Sequence, residues 1–183
     1  TLQAVHSTVA HAKAPAVGRC LCCLITCRAK PKVHGRISKV TRVDFYVLPD
    51  MDIDAAMRFA CRLSLKALQN QLDIHVHVDD APAAEAIDAL MWDYPQHRFL
   101  PHQVIDESNQ TNSSPIHVGF NQPLLQAGLL INLAADIPSF FGRFDRVAEI
   151  VVGNTREQGR DRYKYYRDRG FPLHHHELND WEH

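Results

Sequence analysis

The sequence predicts an α/β fold, a three-layer sandwich with a largely parallel central sheet. Three observations lead there. Short segments of strand character alternate with longer segments of helical period in a β-α-β-α order. The strand segments are apolar on both sides, as strands covered on both faces must be. A chain of 183 residues, 45 % hydrophobic and 22 % charged, has the composition of one well-cored domain.

Residues 42–48 read as the first strand, with Val43, Phe45 and Val47 on one face, Tyr46 and Leu48 on the other, and Pro49-Asp50 ending it. A helix over 52–71 follows, its apolar stripe formed by Ala56, Met57, Ala60, Cys61, Leu63, Ala67 and Leu68. Residues 72–78 alternate Ile74, Val76 and Val78 against Asp73, His75 and His77, a strand whose histidines read as partly exposed. A second helix over 82–92 buries Ala86, Ile87, Leu90 and Met91. A loop over 93–101 and a polar loop around 106–114 come next. Strands are expected at 116–120, 129–135 and 146–152, with a short helix or turn at 137–144. The last element is a helix that Asn154 can cap, with Glu157 three residues on as in a capping box and Gly170 before Phe171-Pro172 as its stop.

Charge is concentrated on that last helix. Residues 41–183 hold 13 Lys+Arg against 21 Asp+Glu, a balance of −8, yet 6 of the 13 cations lie between Asn154 and Gly170. At helical spacing Arg156, Arg160, Tyr163, Lys164 and Arg167 share one face about three turns long. A tyrosine among four cations suits an acidic partner. On pattern alone, a solvated helix whose arginines serve solubility is an equal reading. Gly159 costs about 1 kcal/mol relative to alanine inside a helix, so either a neighbour approaches closely there or the first turns fray.

The first 39 residues differ in kind. They contain seven Lys+Arg, no Asp or Glu and four of the five cysteines. A targeting peptide would want a longer apolar part with fewer cysteines. Cys20, Cys22, Cys23 and Cys27 lack the two spaced pairs of a common zinc site, and a nucleic-acid-binding arm would want aromatics for stacking. Residues 1–39 are therefore expected to be a disordered or non-native leader, and residues 40–183 a single α/β domain. That domain keeps only Cys61, so it has no disulfide framework, which suits a reducing cytoplasm. No apolar run approaches the roughly 18 residues that span a bilayer, and no membrane partner is expected.

Catalytic and cofactor readings find little to rest on. There is no glycine between Gly35 and Gly119, so the first β–α turn, Leu48-Pro-Asp-Met-Asp-Ile-Asp54, lacks the backbone freedom to cradle a phosphate and is acidic besides. The expected topology is thus Rossmann-like without a phosphate-binding loop. No Gly-x-Ser-x-Gly elbow is present, and Cys61 lies on a core face. His174-His175-His176 cannot converge on one ion from an extended segment and reads as a solvent-exposed tail. No cofactor, metal or catalytic residue is expected. The alternative that remains open is an α/β nucleotide-binding protein or enzyme of unknown substrate.

Several blocks of residues carry a resemblance. Val43-Asp-Phe-Tyr-Val-Leu48, Ala89-Leu-Met-Trp92 with Phe99-Leu-Pro-His102, Pro115-Ile-His-Val118, Leu129-Leu-Ile-Asn-Leu133 and Arg162-Tyr-Lys-x-Tyr-Arg-x-x-Gly-Phe171 follow one another as in the chi subunits of the bacterial DNA polymerase III holoenzyme. From about Val40 onward the chain resembles that family. The resemblance implies a non-catalytic accessory subunit of the clamp-loader complex that acts in DNA replication. Its implied partners are the psi subunit, the acidic C-terminal tail of single-stranded DNA-binding protein and, in some bacteria, a helicase. By position it assigns Val151, Arg156, Arg160, Tyr163 and Lys164 to the acidic tail, with arginine at 156 where lysine is familiar. It assigns Trp92 and Phe99 to psi or the helicase, whereas residue type alone reads that pair as core. A domain at −8 is poorly suited to direct phosphate contact, so any link to DNA is expected to be indirect.

Overall fold

Strands that are apolar on both sides need cover on both faces of their sheet. The computed structural model describes residues 40–106, 109 and 112–182, so residues 1–39, expected as a leader, and their cysteine run lie outside the described residues. The element order is β1 (Arg42–Val47), α1 (Ile53–Gln69), β2 (Ile74–His77), α2 (Ala81–Asp93), β3 (His102–Val104), β4 (Ile116–Gly119), β5 (Leu129–Asn132), β6 (Arg146–Val151), α3 (Arg156–Asp168) and β7 (Leu173–Glu177). Single 3-10 turns at Phe141–Arg143 and Gly153–Thr155 lead into β6 and α3. The strands form one seven-stranded sheet in the order β3-β4-β2-β5-β6-β1-β7, and every pairing is parallel. The expected three-layer α/β sandwich is therefore present. Helices α1 and α2 cover the face of Ile74, Val76, Ile116, Val118, Ile131 and Ile150. On the other face Tyr166 of α3 joins Phe140, Phe141 and Phe144 over Val43, Phe45, Leu130 and Val147.

Several expectations need correction. Residues 173–177 are not a free tail but the edge strand β7, in register with β1 so that Tyr46 pairs with His176. Their polar sequence conceals a strand because one edge and much of both faces meet solvent. Strand β3, with only three half-buried residues, also carries too little pattern to be read. His75 is not partly exposed but 1 % exposed, because Phe140 and Phe144 close over its face of the sheet. Ala84 rather than Ala86 is buried in α2. The capping box at Asn154 does not form, since α3 begins only at Arg156 and the 3-10 turn precedes it. There Thr155 Oγ1 accepts from the Val152 amide at 3.1 Å. The C-terminal stop is as expected: Gly170 adopts φ +76, and the Gly170 and Phe171 amides donate to the carbonyls of Arg167 and Tyr166 at 3.0 and 3.1 Å, a Schellman motif.

Two carboxylates tie elements together. Asp44, 1 % exposed, accepts from Arg42 and Arg146 at 2.7 Å each and pairs with His176 at 3.2 Å, which joins β1, β6 and β7 at one end. Burial would raise the Asp44 carboxyl, but hydrogen bonds from those three side chains outweigh it and hold the pKa below its ordinary value. Glu149 on β6 is fully buried. It forms an ion pair with Arg162 Nε at 2.9 Å and accepts from the Tyr166 hydroxyl at 2.9 Å and the Asn132 amide at 3.2 Å. Arg162 reaches on to the Ala135 carbonyl at 2.8 Å. One acid thus secures α3 to β5, β6 and the loop after β5.

Truncating the cation should be costly. Arg162→Ala leaves the Glu149 carboxyl without its counter-ion in the core, and urea unfolding should show a loss of roughly 3–5 kcal/mol. A loss below about 1 kcal/mol would mean that the pair does not hold the helix. The histidines make a second prediction. Burial lowers the His75 pKa from 6.5 to about 3, and burial also lowers His77 and His117. The unfolded chain therefore takes up protons first: the contribution of these rings is complete above pH 6.5 and is lost as pH falls below it, for His75 down to about 3. His75 should add a slope of up to about 1.4 kcal/mol per pH unit between those limits. His75→Leu should flatten the fall in urea midpoint, and an unchanged slope would contradict this account.

Candidate functional site

Helix α3 has two distinct sides. Gly159, Arg162 and Tyr166 form the buried stripe, while Arg156, Arg160, Lys164 and Arg167 point outward. Gly159 is where the helix meets the sheet most closely: a Cβ there would lie 2.9 Å and 3.0 Å from the two γ-methyls of Val151. Close approach, not fraying, explains the glycine. Valine is stiff at χ1, so its methyls have little room to withdraw.

That approach leaves a concavity of about 560 Å³ between the outer side of α3 and the strands beside it. Val151, Arg156, Arg160, Tyr163 and Lys164, all named from the sequence, line it together. Its apolar floor is Val151 with Phe45 and Val47, and Tyr163 rests edge-on against Phe45 with ring centroids 5.3 Å apart. Arg156, Arg160 and Lys164 are exposed and form no ion pair among the described residues, whereas Arg167 reaches Asp168 at 3.1 Å. Asp161 and Glu177 also reach this concavity, so its field is mixed though mainly positive. Such a site can seat an apolar or aromatic side chain on its floor and hold carboxylates at its rim.

Part of this wall has no signature in the sequence. Phe45 and Val47 are legible as one strand face, but nothing in one dimension indicates that the face continues under α3. His175 and Glu177 belong to the segment expected as a tail, yet β7 places both beside the cations, with His175 Nε2 3.3 Å from Glu177 Oε1. Arg162 belongs by composition with the surface cations, but the Glu149 carboxylate draws it inside. It follows Gly159 by three positions on the helix, and that spacing alone gives no sign of burial.

Trp92 and Phe99 form a separate patch. Against the reading from residue type, they are 62 % and 66 % exposed, with ring centroids 5.9 Å apart. His102 packs edge-on under Trp92 at 5.0 Å and is itself held by Asp88 at 3.1 Å and the Leu100 carbonyl at 2.7 Å. Two large aromatics held outward on a fixed base make an apolar surface of the kind partners cover.

The first β–α turn is taken up by the protein's own loops. The Gly153 and Asn154 amides donate to the carbonyls of Asp50 and Met51 at 2.8 and 3.2 Å, and a Cβ at Gly153 would collide with Met51 Sδ. Burial pushes the Cys61 thiol up to about 12, so it is protonated at neutral pH. Among the described residues no group of three or more His, Cys, Asp or Glu is arranged to hold a metal ion. No helix among them is long and apolar enough to cross a membrane.

Comparison with known proteins shows the family of the chain. The family model of the DNA polymerase III chi subunit matches residues 40–174. The DNA polymerase III subunit chi of Pseudomonas aeruginosa is 36 % identical over 142 residues, covering 76 % of this chain and 98 % of the relative. Those of Haemophilus influenzae and Escherichia coli are 27 % and 25 % identical, each covering 70 % of this chain and 92 % of the relative. An all-parallel α/β domain that matches this model over most of its length belongs to the DNA polymerase III chi subunit family.

Proposed function

We propose that this chain is a non-catalytic accessory subunit of the clamp-loader complex that binds the acidic C-terminal tail of single-stranded DNA-binding protein through α3. Residues 40–183 would be its working domain. The observation that carries the reading is the convergence of Val151, Arg156, Arg160, Tyr163 and Lys164 on one concavity with an apolar floor and, among the described residues, unpaired cations at its rim. Aspartates and the terminal carboxylate of such a tail would meet the cations, and an apolar terminal side chain would rest between Val151 and Tyr163. The Trp92 and Phe99 patch would take the psi subunit, or a helicase in its place. Contact with DNA would be indirect, because the domain carries a balance of −8.

Fluorescence anisotropy of a labelled acidic tail peptide against the full chain tests the first assignment. Arg160→Ala and Tyr163→Ala should each weaken binding about tenfold or more, and raised salt should weaken it in the parent. Gly159→Val should weaken it as well, by forcing Val151 and α3 apart. Salt-insensitive binding, or full affinity in both alanine variants, would refute the assignment. For the second surface, Trp92→Ala should cost about 2 kcal/mol or more of psi affinity in a titration of the two subunits.

A further inference from the structure

We propose that a groove on the opposite face of the sheet is a second docking site for an acidic protein segment bearing apolar side chains. The groove, about 880 Å³, runs between α1, the loop of residues 94–98 and the last residues of the chain. Phe59, Tyr46, Tyr94 and Leu129 supply apolar surface and Lys66 and Arg98 supply charge, beside Arg62, which donates to the Glu182 carbonyl, and Arg146, which is paired with Asp44. Glu182 is the one acidic residue among the described residues that line it. Lys66 and Arg98 are exposed and form no ion pair among the described residues. In a domain with a balance of −8, a second concavity of this sign is a local concentration of charge.

The chain's own end indicates which chemistry the groove accepts. Trp181 is buried edge-on against Phe59 at 5.5 Å, its Nε1 donates to Asp50 at 2.9 Å, and the Arg58 guanidinium lies over its ring at 5.9 Å. Glu182 accepts from Arg58 at 3.1 Å through its carboxylate and from Arg62 through its carbonyl. This side of α1 therefore already holds an acidic segment with an aromatic anchor, and Lys66 and Arg98 extend the same cationic surface beyond it. A nucleic acid is a poorer occupant, since its phosphates would face the acidic remainder of the domain.

Isothermal titration calorimetry of the full chain with the acidic tail peptide of single-stranded DNA-binding protein tests the proposal. The expected result is two peptides per chain, falling to one in Lys66→Glu/Arg98→Glu and, separately, to one in Arg160→Ala. Arg143→Glu, an exposed cation outside both concavities, serves as the charge control and should retain two. A single peptide that is lost in Arg160→Ala and retained in Lys66→Glu/Arg98→Glu overturns the groove. A single peptide lost only in Lys66→Glu/Arg98→Glu supports the groove and overturns the α3 assignment. Two peptides retained in Lys66→Glu/Arg98→Glu, equal loss in Arg143→Glu, or no binding at all overturns the groove as well.

Discussion

The buried carboxylate of Glu149 governs how α3 meets the sheet. A charge in the core is tolerable only with a counter-charge and filled lone pairs, and Arg162, Tyr166 and Asn132 provide them. Because Arg162 and Tyr166 lie on one side of the helix, satisfying the acid sets the rotation of α3. Arg156, Arg160 and Lys164 are then left on the outer side. The ionic contact inside the protein and the cationic surface outside it are two consequences of one helix orientation.

Close packing at Gly159 completes that arrangement. With a side chain at this position the helix would ride higher on Val151, and the wall between α3 and the strands would change shape. The propensity penalty of a mid-helix glycine, about 1 kcal/mol, is thus offset by a contact that a larger residue would forbid. At the other end of the sheet, Asp44 joins three strands and gives the polar edge strand β7 a firm attachment through His176. That attachment brings His175 and Glu177 to the margin of the α3 concavity.

The two concavities have similar chemistry because alternate residues of β1 point to opposite faces. Phe45 and Val47 contribute to one, Tyr46 to the other. Each is bordered by a helix that carries arginine and lysine on its solvent side. The acidic balance of the rest of the domain makes these positive regions stand out electrostatically.

Much of this is legible in one dimension. Apolar period and alternation determine α1, α2 and five of the strands, since burying a face imposes a repeat that residues near in sequence share, and end signals mark α3. The basic stripe of α3 is legible for the same reason, all its members lying on one helix. What the sequence by itself leaves open is set by partners far apart in the chain. His174 to His176 become a strand because β1, near the other end of the domain's sequence, offers an open edge. Arg162 is internal because Glu149 lies beneath it, and His75 is buried because the turn at 140–144 folds over it. Trp92, with Phe99 against it, stays outside because His102 fills the space beneath its ring. Local pattern determines most of the elements; only the tertiary structure decides that β3 and β7 form and which polar and aromatic residues face inward, because that depends on what arrives from elsewhere to meet them.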